Sequence, residues 1–210
     1  MIRITRTFNA KPEKEQDLTD VLKDIRGYAH TQDVESRIFW EPWGPEGVVH
    51  LHNDFGDAGE AQIWWQNLLS NSRVQEFIAH MENLIEGHRE ASFLMETGES
   101  SSSPEPTQET ERAVRIVYAY NAKPGRIREL VEVANDIKGF VASQGIPVAV
   151  FTEPWGIGGR LHYHVDYPDA GSALSGLENI IGRQRGQEMR ALITTLTQGH
   201  ARRGFLYEVE

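Results

Sequence analysis

The chain has 210 residues, 39% of them hydrophobic and 25% charged, a formal net charge of −10 and no cysteine. Disulfides, thiolate nucleophiles and thiolate metal sites are therefore excluded, and a cytoplasmic location is expected. The acidic balance repels phosphate backbones, which argues against a nucleic-acid partner, and no apolar run approaches the roughly 18 residues of a membrane helix.

Met1-Ile2-Arg3-Ile4-Thr5 opens with strand-like alternation, so no signal peptide is expected. Residues 2–9 continue it, with Ile2, Ile4 and Phe8 set against Arg3, Thr5, Thr7 and Asn9, which predicts a strand. Pro12 is expected to open a helix, in which Leu18, Val21, Leu22, Ile25 and Tyr28 keep helical spacing. Residues 34–43 and 47–55 read as a hairpin around Glu41-Pro42-Trp43-Gly44. Asp57-Ala58-Gly59 starts a long helical stretch, interrupted at Ser70-Asn71-Ser72 and ended by Gly87. Residues 91–96 form a last strand.

The same order then recurs without a gap. Asn9-Ala10-Lys11-Pro12 matches Asn121-Ala122-Lys123-Pro124, Glu41-Pro42-Trp43-Gly44 matches Glu153-Pro154-Trp155-Gly156, and His50-Leu51-His52 matches His162-Tyr163-His164. One offset serves all of them, which marks an internal repeat. The repeats span 1–98 and 113–210, and the Ser/Pro/Glu-rich segment 99–112 links them. In the second copy the strands are expected at 114–121, 148–154, 160–166 and 203–209, with helices at about 125–142 and 170–198. Each copy is a β-α-β-β-α-β ferredoxin-like unit. One sheet face carries the helices, and the bare face needs covering. The expected fold is α+β, with the two units packing sheet to sheet inside one polypeptide.

That topology, together with Trp64-Trp65 followed by Phe77-Ile78-Ala79-His80, resembles the dimeric α/β-barrel superfamily and its antibiotic-biosynthesis-monooxygenase-like members. The second copy departs from the motif, with Arg190-Ala191-Leu192 at that place. The resemblance implies an intramolecular pseudo-dimer, with a further homodimer left open. It also implies a small-molecule substrate of aromatic or polyketide-like character, as in secondary metabolism, and a menu that includes oxygenases, cyclases and haem-degrading enzymes.

Two histidines at i and i+2 on a strand share one face. His50 and His52, and likewise His162 and His164, are thus expected inside the barrel, with Glu41 and Glu153 as their partners. Three uses compete. The imidazoles could form a structural polar network. They could act as general base and acid for a small substrate, the favoured enzymatic reading. They could also hold a divalent transition metal as a four-histidine set or as Glu–His–His. The acid–base reading needs no cofactor. The alternative protein is a non-catalytic ligand- or metal-binding barrel.

Arg6, Trp40, Trp64, Tyr118 and Tyr120 are candidates for substrate binding on the helix-facing side. The resemblance also offers His80 as a haem ligand, at one site at most because the second copy lacks it, and haem is disfavoured because lone helical histidines are usually not ligands. His88 and His200 read as helix C-caps. No P-loop, no G-x-G-x-x-G and no G-x-S-x-G elbow is present.

Overall fold

A computed structural model describes residues 1–43, 46–87, 90–98, 113–154 and 159–209. Gly44, His88, Trp155, Gly156 and the segment 99–112, on which several sequence expectations fall, lie outside the described residues. In chain order the elements are β1 (Ile2–Asn9), α1 (Glu15–His30), β2 (Glu35–Trp40), β3 (Val48–Phe55), α2 (Ala58–Ser70), α3 (Ser72–Leu84) and β4 (Glu90–Glu96). The second copy gives β5 (Val114–Ala122), α4 (Ile127–Ala142), β6 (Val148–Thr152), β7 (Arg160–Tyr167), α5 (Ala170–Gly182), α6 (Gln184–Leu196) and β8 (Thr197–Glu208).

The contacts divide into two compact units, Met1–Phe93 with the chain end from Glu208, and Leu94–Tyr207. In the first, β3 lies between β1 and β2, antiparallel to both, with Thr7 opposite His50 and Phe39 opposite His50 on the other side. In the second, β7 lies between β5 and β6, and β5 also pairs with β8. The ends of the two last strands hydrogen-bond outside their own repeat. In the second unit Met95 and Glu96 pair with Thr152 and Phe151, and Lys138 reaches Glu96 at 3.1 Å. In the first unit the Val209 amide donates to the Ile38 carbonyl at 2.9 Å, and Arg37 makes a two-pronged bond to Glu208 at 2.8 and 2.6 Å.

Helix boundaries depart from the sequence expectation where backbone geometry intervenes. Pro12 sits in a turn rather than in the first helical turn, because Glu13 adopts φ 63° and cannot continue a right-handed helix. The break at Asn71 occurs as expected, and its side-chain oxygen caps α3 by accepting from the Arg73 and Val74 amides. The stretch expected as one helix over 170–198 is two helices, since Arg183 is extended at φ −80°, ψ 141°. His200 is not a helix cap. Here α6 ends at Leu196, and His200 lies in β8, where the register with β5 shifts between Ala119 and Asn121.

Apolar alternation puts one face of each sheet under the helices. In the first unit Phe8, Ile38, Val49 and Leu51 pack on Leu18, Val21, Leu22 and Ile25 of α1 and on Met81 and Leu84 of α3. Farther along the same face Ile2 and Phe55 pack on Trp64 and Leu68 of α2. In the second unit Ile116, Val150, Leu161, Tyr163 and Val165 form one cluster with Leu130, Ala134 and Val141 of α4. Each such side chain contributes about 1.5–3 kcal/mol when fully buried, so the helix-facing side of the sheet is strongly specified. That fixes by elimination the face on which the histidines stand.

Candidate active site

Because Val49, Leu51, Leu161 and Tyr163 face the helices, their neighbours His50, His52, His162 and His164 face the other way. All four imidazoles are buried. Within each pair the rings meet edge to face, at 6.3 Å for His50 and His52 and 6.2 Å for His162 and His164. Each inner ring also lies against a phenylalanine, His52 at 4.9 Å from Phe39 and His164 at 5.1 Å from Phe151.

The two copies differ in how the outer histidine is held. In the first, His50 Nε2 is 3.3 Å from Glu41 Oε2, and Nδ1 is 3.0 Å from Thr7 Oγ1. A neutral ring satisfies both contacts, with Nε2–H donating to the carboxylate and Nδ1 accepting from the hydroxyl. In the second copy Ala119 stands opposite His162 where Thr7 faces His50. His162 Nε2 lies 3.5 Å from Glu153 Oε2, at the outer limit of a hydrogen bond, and among the described residues neither buried atom makes a closer one. Arg160, which replaces Val48, approaches Glu153 Oε2 at 3.6 Å. Burial holds His162 below its ordinary value, only partly opposed by the Glu153 carboxylate. The ring is therefore neutral at physiological pH.

Beside each histidine pair lies a two-pronged ion pair that the sequence reading missed. Arg3 bonds Asp54 at 2.6 and 2.6 Å, and Arg115 bonds Asp166 at 2.6 and 2.8 Å. A signal existed. Arginine recurs at the same place in both copies, and it alternates with Thr5 and Thr7 onto the histidine face. Thr7 was missed for a different reason, since only the cross-strand register brings it to its dyad, whereas Arg160, two residues before His162 on β7, shares its face by the same alternation.

The candidates for substrate binding fall on the opposite face. In the first unit Arg6 lies 5.5 Å from the Trp64 ring and 4.9 Å from Trp65, and it donates to Asn53 Oδ1 at 3.1 Å. Trp40 does not share this packing, being 42% exposed at the end of β2. His80 is exposed on α3. In the second unit Tyr118 and Tyr120 stack at 6.1 Å. Within each unit the sheet therefore separates these residues from the histidines, and one small molecule cannot touch both sets. Among the described residues no group of three or more His, Asp or Glu side chains is placed to hold a metal ion, so no chemical step is assigned to one. No described helix is long and apolar enough to cross a membrane.

These features define an α+β chain with two ferredoxin-like β-α-β-β-α-β repeats in one polypeptide. A candidate monooxygenase from Fusobacterium nucleatum subsp. nucleatum has this fold, with 14% identity and a TM-score of 0.81 over 100% of this chain and 92% of that one. A second, from Lactobacillus acidophilus, gives 7% identity and a TM-score of 0.72 over 99% and 93%. An anthrone oxidase-like protein gives 8% and 0.66 over 100% and 91%. At such identities the likeness is one of fold. No protein-family model matches the sequence, and no curated protein matches it.

Proposed function

We propose that the chain is a small-molecule enzyme of the monooxygenase or cyclase type, acting on an aromatic or polyketide-like substrate with Glu153–His162 as its acid–base pair. The observation that carries this reading is the unsatisfied second dyad. A buried imidazole nitrogen and a buried carboxylate oxygen stand 3.5 Å apart, too far for a good hydrogen bond, and among the described residues neither has a better one. Leaving buried polar groups without well-made hydrogen bonds costs up to roughly 1–3 kcal/mol each, and such groups call for an explanation. The neutral His162 would take a proton from an acidic C–H or O–H of the substrate, and Glu153 would stabilise the imidazolium that forms. The resulting enolate would then close a ring or react with oxygen. An anthrone, for example, would consume one O2 and yield the quinone and one water.

In the first repeat a structural role is favoured, because Thr7 and Glu41 already satisfy both ring nitrogens of His50. The purified chain is tested by oxygen uptake and product formation with anthrone, and by cyclisation of a poly-β-keto thioester mimic. The expected result is a rate about a hundredfold or more above buffer for one of the two. Rates at the buffer level for both, from folded protein, would count against the reading.

A further inference from the structure

At one end of its sheet the first repeat carries a cavity of about 560 Å³, a size suited to a small ligand. Its walls are the connection between α1 and β2 from Gln32 to Glu35, the turn after β3 from Asp54 to Gly56, and one flank of α2. Glu60, Ile63 and Asn67 supply that flank. At about 100° per residue they lie to one side of Trp64, and Trp65 lies to the other. Arg6, 4.9 Å from the Trp65 ring, belongs with that other side. The cavity thus opens away from Arg6 and Trp65.

The floor is apolar and the rim is acidic. Val34, Phe55 and Trp64 are buried, whereas Asp33, Glu35 and Glu60 are exposed. Among the described residues no Lys, Arg or His side chain lines the cavity. Asp54 is already neutralised by Arg3, and Glu60 accepts from the Gly56 amide at 2.8 Å. Asp33 and Glu35 are in no ion pair among the described residues. None of the three rim acids recurs in the second repeat, which has Gly145, Pro147 and Ser172 at their places and Gly176 at that of Trp64. The backbone at Asp33 is left-handed, with φ 56°, and the second repeat makes the same bend with Gly145 at φ 75°. Glycine adopts that conformation freely, so the first repeat keeps its carboxylate there against a backbone cost.

Trp64 supplies an observation of a different kind. It lines the cavity, it is 3% exposed, and its buried Nε1–H has no hydrogen-bond partner among the described residues. A buried donor of this kind calls for an acceptor, and a ligand in the cavity can bring one.

We infer that this cavity binds an organic amine whose chain carries a carbonyl oxygen, the chemistry of a monoacylated diamine. The ammonium is held at the rim by Asp33 and Glu35. The apolar body covers Phe55 and Ile63, and the carbonyl accepts from Trp64 Nε1–H. The site belongs to the first repeat, so the inference does not rest on Glu153–His162. Its test reads binding rather than turnover.

The probes are N-benzoylputrescine, N-butylbenzamide, which lacks only the ammonium, and 6-phenylhexylamine, which lacks only the amide. Calorimetry on the full chain in low-salt buffer should show N-benzoylputrescine binding at least about fivefold more tightly than N-butylbenzamide. In an Asp33→Asn, Glu35→Gln variant, altered only at exposed side chains, the two affinities should converge to within about twofold. By proton–nitrogen NMR, N-benzoylputrescine should move the Trp64 indole N–H downfield, a resonance assigned by its loss in Trp64→Phe, and 6-phenylhexylamine should not. Four results would each overturn the proposal: no binding of N-benzoylputrescine, equal binding of the charged and neutral amides, a preference that survives in the double variant, or a Trp64 resonance that responds equally to both amines.

Discussion

Arg115→Met is expected to destabilise the protein by about 3–5 kcal/mol, the largest effect on stability foreseen for a single change. Arg115 is almost wholly buried and makes two short bonds to Asp166. Methionine would fill much of the space but would leave the carboxylate without its counter-charge on the histidine face. Arg115→Met with Asp166→Leu removes both charges and should recover most of the loss, because the penalty comes from the orphaned charge rather than from the missing attraction. Thermal melts of the single and double variants check this. For a chain of this length the single change should lower Tm by roughly 10 °C. Equal destabilisation of the two would mean that the pair acts through packing instead.

His162→Gln is expected to lower kcat by about 10²–10⁴-fold, the range for loss of a positioned acid–base group. His50→Gln should cost less than about tenfold in rate. It should instead reduce stability by about 1–3 kcal/mol, since the partly buried Glu41 and Thr7 would lose a partner. The His162 variant should also change how stability depends on pH. In the folded protein His162 titrates below its ordinary value of 6.5. As pH falls from about 6.5 towards that lower value, the unfolded chain takes up a proton that the folded chain refuses, so stability falls. Above about 6.5 this penalty is absent. Glutamine cannot titrate, so the variant should lose that part of the slope. Denaturant midpoints between pH 7.5 and 5, compared for the two chains, give the difference directly.

The repeated hairpins explain how much could be read from the residues alone. A side-chain period of two already puts His50 with His52 and sets Leu51 against them, and the apolar partners Val49 and Leu161 then choose the face. Glu41 and Glu153 follow as neighbours because each closes its hairpin one residue beyond the strand pairing. Cross-strand register is a different matter, since it depends on where β1 and β5 slide against their partners. That is why Thr7 opposite His50, Ala119 opposite His162, and the two Arg–Asp pairs were not foreseen. The same alternation sets Arg6, Tyr118 and Tyr120 across the sheet from the histidines, and the structure places them there. Arg183 and His200 were misread for lack of a local signal. Nothing in Gly182-Arg183-Gln184 resembles the Asn71 cap, and a strand that begins right after a helix mimics a longer helix.

The most direct test of a buried, neutral His162 beside Glu153 is a proton NMR titration of the histidine ring hydrogens, assigned with His162→Gln. The expected curve for His162 lies below pH 6.5, and it moves further down in Glu153→Gln, where the opposing carboxylate charge is gone. A His162 that titrates at or above 6.5, or one that does not respond to loss of the Glu153 charge, would contradict the proposed dyad.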